Sequence, residues 1–247
     1  MKKRLRYTIY SIGFLLFTLV VVDRFFIKKK TVLYPNFGIK IPAGYATHGI
    51  DVSRYQQGID WGLVSKMRDR GQRISFAIAK ATEGTNRTDG CFNQNWKGMK
   101  KHGILRGAYL YFHPNKSGKV QANYFISKVK LESGDLPPVI DIEESNHMSD
   151  KNIQKSLKEC ADLLEHNYGK KPIIYTNVDF YADKLGELFD EYPLWAAHYE
   201  QCNAPRVNRK WTLWQHNCKG HVNGIRSEVD FNVVNGNLFS LKNLCLE

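Results

Sequence analysis

Apolar and polar positions along this chain switch repeatedly between two periods. From His48 onward, short β-branched runs alternate with stretches of helical spacing. Gly49 to Val52 reads as a first strand, Ile74 to Lys80 as a second and Leu105 to Phe112 as a third. Val139 to Glu143 reads as a fourth and Pro172 to Tyr175 as a fifth. Between them, Trp61 to Gly71, Gln94 to His102 and Ser117 to Val129 have helical character, and Gly71 and Gly103 stand where two of these stretches stop. Ser149 is placed to cap a longer helix running to Tyr168, with Ile153, Leu157, Cys160, Ala161 and Leu164 on one face and Gly169 at its end. Pro193 to Ala197, Trp211 to Gln215 and Glu228 to Asn232 then follow as three strands on short connections. Strands separated by crossover helices imply a parallel sheet. Eight of them predict an α/β fold: an irregular TIM-like barrel, five β/α units followed by three strands.

The start of the chain follows a different pattern. Ile9 to Val22 is apolar apart from Tyr10, Ser11, Gly13 and Thr18, and Lys2, Lys3, Arg4 and Arg6 precede it. That is the basic-then-apolar form of an export signal. Phe25, Phe26 and Lys28 to Lys30 do not form a small-residue cleavage site, so residues 1–27 are read as a signal anchor in preference to a cleaved signal peptide. The expected location is the cell envelope, membrane-anchored and facing outside the cytoplasm, with secretion as the alternative. Residues 28–46 mix Lys, Pro and Gly and read as a linker with some extended structure. Residues 47–247 form the predicted barrel, long enough for one full core.

Charge fits this division. Residues 1–30 hold eight Lys and Arg against Asp23 alone, so most of the +12 net charge flanks the hydrophobic run. Membrane topology accounts for that excess better than a nucleic-acid partner does. The five cysteines show no CxxC, and no His-rich spacing supports zinc, so no metal or cofactor is expected. Cys202 and Cys218 bracket a predicted loop and strand and are the best candidates for a disulfide in an exported domain.

The densest chemistry lies in Pro138-Val139-Ile140-Asp141-Ile142-Glu143-Glu144. Side chains alternate on a strand, so Asp141 and Glu143 share one face and Ile140 and Ile142 the other. Two carboxylates that close repel each other, and apolar neighbours resist ionisation, so one keeps its proton near neutral pH. A protonated acid beside an ionised one suits glycosidic bond cleavage. A metal site, or acids paired with Lys or Arg, is the competing explanation. The carboxyl ends of the other predicted strands carry Asp51, then Lys80 with Glu83, Tyr109 with Tyr111, Tyr175, Trp195 with Tyr199, Trp214 with Gln215, and Asp230. In such barrels chemistry sits at that end. Acids there can move protons and bind hydroxyls, and aromatic rings can stack on sugar faces.

At these residues the chain resembles glycoside hydrolase family 25. The resemblance is carried by His48-Gly49-Ile50-Asp51-Val52-Ser53, Phe76 to Gly84, Gly107 to Phe112, Asp141-Ile142-Glu143, Leu194 to Tyr199, Trp214-Gln215 and Val229 to Asn232, in that order. It spans about residues 47–240. It implies a lysozyme-type N-acetylmuramidase that hydrolyses the β-1,4 bond of peptidoglycan glycan strands, acting as a monomer without a cofactor. Carried over by position, Glu143 is implied as proton donor, Asp141 as its partner acid, and Asp51 and Asp230 as further acids of the groove. Tyr111, Tyr175, Trp195 and Trp214 are the candidate sugar-contacting aromatics. The chain departs from the family pattern at Gln56-Gln57, at Thr85-Asn86-Arg87 and in the placement of His113. A non-catalytic glycan-binding barrel is the alternative from another class, and a metal-dependent hydrolase a second.

Overall fold

The computed structural model describes residues 31–247. Residues 1–27, read as a signal anchor, lie outside the described residues. No helix among the described residues is long and apolar enough to cross a membrane.

The strands are β1 (Thr31–Tyr34), β2 (Ile39–Pro42), β3 (His48–Val52), β4 (Ile74–Glu83), β5 (Arg87–Thr88), β6 (Leu105–Tyr111), β7 (Val139–Asp141), β8 (Ile173–Asn177), β9 (Leu194–Ala197), β10 (Leu213–Gly220) and β11 (Val229–Val234). The longer helices are α1 (Trp61–Lys66), α2 (Phe92–Lys101), α3 (Gly118–Lys128) and α4 (Asp150–Tyr168), and α5 (Leu238–Lys242) follows the last strand. Eight strands close a barrel in the order β3, β4, β6, β7, β8, β9, β10, β11, with β11 returning to β3. Neighbours from β3 round to β10 are parallel, and β11 is antiparallel to both of its partners. Five β/α units followed by three strands therefore describe the chain, with one inverted strand separating it from a regular TIM barrel.

Local sequence explains the helices. Ser149 accepts from the Asn152 amide at the start of α4, and Gly169 ends it in the left-handed region at φ 72°. Its buried face is Ile153, Leu157, Cys160, Ala161 and Leu164, as the periodicity predicts. Gly118 opens α3 where a Cβ would stand 1.9 Å from the Ser156 carbonyl oxygen, so only glycine lets α3 approach α4 this closely.

The core has two compartments. Outward-facing residues of the strands pack under the helices. Inward-facing Phe76, Ile78, Val139, Ile173 and Leu213 fill the barrel's lower half, closed off by Leu241 and Cys245 near the C-terminus. Gly49 leaves room for the Phe76 ring, which a Cβ there would meet at 2.5 Å. This apolar plug confines solvent, and therefore chemistry, to the upper rim.

Residues 31–46, within the stretch read as a linker, are built into the fold. β1 and β2 form an antiparallel hairpin with Thr31 opposite Pro42. Phe37, Ile39 and Ile41 are buried, and the Phe37 ring lies 5.1 Å from that of Phe231. The amides of Asn36 and Phe37 both donate to Asp69 Oδ2, at 2.7 and 3.1 Å. The expected Cys202–Cys218 bridge is not formed: all five cysteines are free thiols.

Candidate active site

The carboxyl ends of the parallel strands open into a groove of about 470 Å³, continuous with a deeper recess of about 200 Å³. Asp51, Tyr109, Asp141, Glu143 and Asp230 line both. Asp230 reaches the same rim from the start of β11 because that strand runs the opposite way, and it pairs directly with Asp51 across the ladder. Asp141 ends β7 between Tyr111 of β6 and Tyr175 of β8, and Trp195 of β9 follows Tyr175. The Tyr175 and Trp195 rings meet edge to face at 4.6 Å. Seven of the eight predicted site residues thus converge: Glu143, Asp141, Asp51, Asp230, Tyr111, Tyr175 and Trp195.

Trp214 does not join them. It is fully buried on the outer face of β10, beside Tyr45 and Trp211, and its indole N–H donates to the His198 carbonyl at 2.8 Å. The reason is parity. Leu213 and Gln215 point into the barrel, so Trp214 and His216 must point out.

The inward neighbour Gln215 instead supports the site. Its amide donates to Asp51 Oδ2 at 2.9 Å, while its oxygen accepts from the Tyr175 and Tyr199 hydroxyls at 2.8 and 2.7 Å. Asn232 does the same from β11: it donates to Asp51 Oδ2 at 2.8 Å and accepts from the Trp195 indole at 2.8 Å. Both amides are locked by a second donor, so each can only offer its N–H to the carboxylate. Gln215 stands among the strand-end residues that the sequence offers, but its hold on Asp51 does not follow from it. For Asn232 the available signal is that it lies two residues from Asp230 and so shares its face.

The acids resist ionisation. Burial pushes Asp51 up, hydrogen bonds from Asn232 and Gln215 hold it back, and it settles at about 6. Asp230 is raised to about 8, by burial and then by Asp51 and Glu143. Asp141 is raised well above the carboxylate range by burial and by Glu143 beside it. Glu143 is raised by burial against the hydrogen bond it shares with Asp141. Asp141 Oδ1 is buried and has no hydrogen-bond partner in the protein. Burial and mutual repulsion therefore both favour keeping a proton on the Asp141–Glu143 pair.

Lys80 stands at one end of the groove, where it donates to Glu83 Oε2 at 2.8 Å and sits 4.6 Å over the Tyr111 ring; Arg87, outside the groove, bonds Glu83 Oε1 at 2.7 Å. Burial alone would raise Glu83, but these two cations bring it down to about 2. Among the described residues, no group of three or more His, Cys, Asp or Glu is arranged to hold a metal ion.

The sequence matches the family model for glycosyl hydrolases family 25 over residues 50–225. It is 46% identical over 207 residues to the Escherichia coli (strain K12) protein YegX, covering 84% of this chain and 76% of that one. It is 34% identical over 204 residues to Lysozyme M1 of Streptomyces globisporus, covering 76% and 67%. The fold superposes on a family 25 glycosyl hydrolase from Bacillus anthracis with a TM-score of 0.76 at 32% identity, covering 83% of this chain and 96% of the other. With that barrel and that ring of acids, the chain belongs to glycosyl hydrolases family 25.

Proposed function

We propose that this glycoside hydrolase is a lysozyme-type muramidase, hydrolysing the β-1,4 bond between N-acetylmuramic acid and N-acetylglucosamine in peptidoglycan. The observation that carries the reading is the convergence of Asp141 and Glu143 with Asp51 and Asp230 at one rim of a family 25 barrel.

In this reading Glu143 protonates the leaving oxygen, and the substrate's 2-acetamido oxygen attacks the anomeric carbon. Asp141 orients the acetamido N–H. Its unpartnered Oδ1 supports that role, because a buried acceptor without a donor is satisfied when the substrate supplies one. The same hydrogen bond favours ionised Asp141 and so leaves the shared proton on Glu143, where bond cleavage needs it. Water then opens the intermediate, and the product keeps its β configuration. Asp51, held by two amides, stabilises developing positive charge, and Asp230, mostly protonated at neutral pH, binds the sugar. Tyr111, Tyr175 and Trp195 line the sugar path.

The substrate is tested by reducing-end labelling and mass spectrometry of digested peptidoglycan. Muramic acid at the new reducing end is expected; glucosamine there, or released peptide, would reject the reading. NMR of the first product separates the routes, since an α anomer excludes attack by the acetamido group. Replacing Glu143 with Gln should lower turnover by roughly 100-fold or more while glycan binding stays nearly constant.

The N-terminal segment completes the proposal. Residues 1–27 hold the domain at a membrane, outside the cytoplasm. The basic-then-apolar order with no small-residue cleavage site supports it. Intact N-terminal peptides in the membrane pellet are the expected result, and a soluble form starting after residue 22 would refute it.

A further inference from the structure

The catalytic groove is walled by acids, yet one end of it opens into a side arm of about 380 Å³ with a different character. Lys80 and Glu83 line both spaces, so the two are continuous. Arg54, Asn86, Arg87 and Thr88 belong to the arm alone.

Three cations meet two carboxylates there, and both carboxylates are already engaged. Asp89 is buried and accepts from the backbone amides of Arg54 and Cys91, each at 2.9 Å. Glu83 serves Lys80 and Arg87 together, with the His113 imidazole 3.6 Å away. One negative charge between two cations leaves positive charge uncompensated. The Arg87 side chain is 71% exposed and uses one nitrogen on Glu83, so most of its donors face the arm or solvent. The Arg54 guanidinium lies 5.5 Å over the Tyr55 ring and has no ion pair within the described residues. Tyr55 is itself 71% exposed and stands at the groove's edge.

The mounts are rigid. Arg87 sits on β5, which pairs with the end of β4 through Glu83 opposite Arg87. Arg54 opens a single helical turn closed by a Ser53–Gln56 capping box. Two guanidinium forks on fixed backbone suit carboxylates, which they can grip with paired N–H donors. A carboxylate near ionised Asp51 and the Asp141–Glu143 pair would be repelled, so an anionic substituent on the glycan is driven toward this arm.

We infer that the Arg54–Arg87 arm binds the carboxylates of the peptide stem attached to muramic acid, making the enzyme prefer stem-bearing glycan. This rests on the muramidase reading. The test compares wild type with the double variant Arg54→Ala/Arg87→Ala on intact peptidoglycan strands and on strands stripped of peptide by an amidase. Both residues are exposed and outside the catalytic groove, and a thermal melt checks that the variant folds. The expected result is a roughly tenfold rise in KM on stem-bearing strands with kcat unchanged, and no change on stripped strands. The wild-type preference for stem-bearing strands should fade as salt is raised. An equal KM for the two proteins on stem-bearing strands, or an equal loss on both substrates, overturns the inference and leaves the muramidase reading standing. Cleavage of neither substrate after muramic acid overturns that reading and the inference with it.

Discussion

The two faces of the β3–β11–β10 sector bury polar groups by opposite means. On the inner face Asp51 meets Gln215 and Asn232, whose amides are fixed by Tyr175, Tyr199 and Trp195. On the outer face of the same strands, three residues from Asp51 and one from Gln215, His48 and His216 lie buried on the β1–β2 hairpin side. Neither nitrogen of His48, nor Nε2 of His216, has a hydrogen-bond partner. Desolvation acts on both faces. Inside, hydrogen bonds oppose it and Asp51 stops at about 6. Outside, only the Tyr45 backbone opposes it at His48 and nothing does at His216, and the histidines fall to about 4 and about 3. A buried group keeps its charge only where the right partners are supplied, donors for a carboxylate and acceptors for an imidazolium; without acceptors the protein keeps the ring and gives up the proton.

The sharpest way to break this contrast is to remove the charge that the inner face is built to hold. Asp51→Asn should reduce turnover by roughly 100-fold. It should leave stability unchanged or higher, because repulsion with Glu143 and Asp230 disappears. Steady-state rates and urea melts on one preparation check both halves, and a destabilised variant would contradict the account.

Removing a donor instead of the charge gives the next effect. Asn232→Ala leaves the Trp195 indole without a partner and Asp51 Oδ2 with Gln215 alone, and should destabilise the fold by about 1–3 kcal/mol. Because Asn232 holds the Asp51 carboxyl down, the acidic limb of the pH–rate profile should also move to higher pH. A limb that stays in place would separate Asp51 from that ionisation.

The two faces should also pull stability in opposite directions with pH. His48 and His216 bind protons in the unfolded chain below about 6.5 but resist them when folded. Their contribution is present above 6.5 and is lost as pH falls toward 4. Asp51 and Asp230, with raised folded values, do the reverse: stability present below about 3.8 is lost as pH rises through 6 and 8. His48→Leu should therefore flatten the acid side of the stability curve and Asp230→Asn the alkaline side, each by roughly 1–2 kcal/mol. Unfolding free energies measured from pH 4 to 9 decide this, and parallel curves for both variants would refute it.

The smallest effect tests parity. Trp214→Phe, on the outer face, should lower stability by about 1 kcal/mol through its lost bond to His198 and leave KM for glycan unchanged. Trp195→Phe, on the inner face, should raise KM severalfold and disturb Asp51 through Asn232. A larger KM effect at Trp214 would place it back in the sugar path.

Local patterning determined much of this molecule. Strand and helix order followed from periods of two and 3.6, from Ser149 and Gly169 at the ends of α4, and from the crossover helices. The four acids followed too, because polar residues at the ends of apolar strands have few other places to go. Three things were decided only in three dimensions. The 31–42 hairpin looks like a linker because its pairing is local but its burial, on Phe231 and Asp69, depends on contacts far along the chain. The face of Trp214 depends on register, and a shift of one residue turns a strand's whole set of side chains over. The hold of Gln215 and Asn232 on Asp51 exists only because barrel closure brings β11 beside β3, across 181 residues of sequence from Asp51 to Asn232. Sequence periodicity fixes which side chains share a face; only closure of the sheet fixes which faces meet.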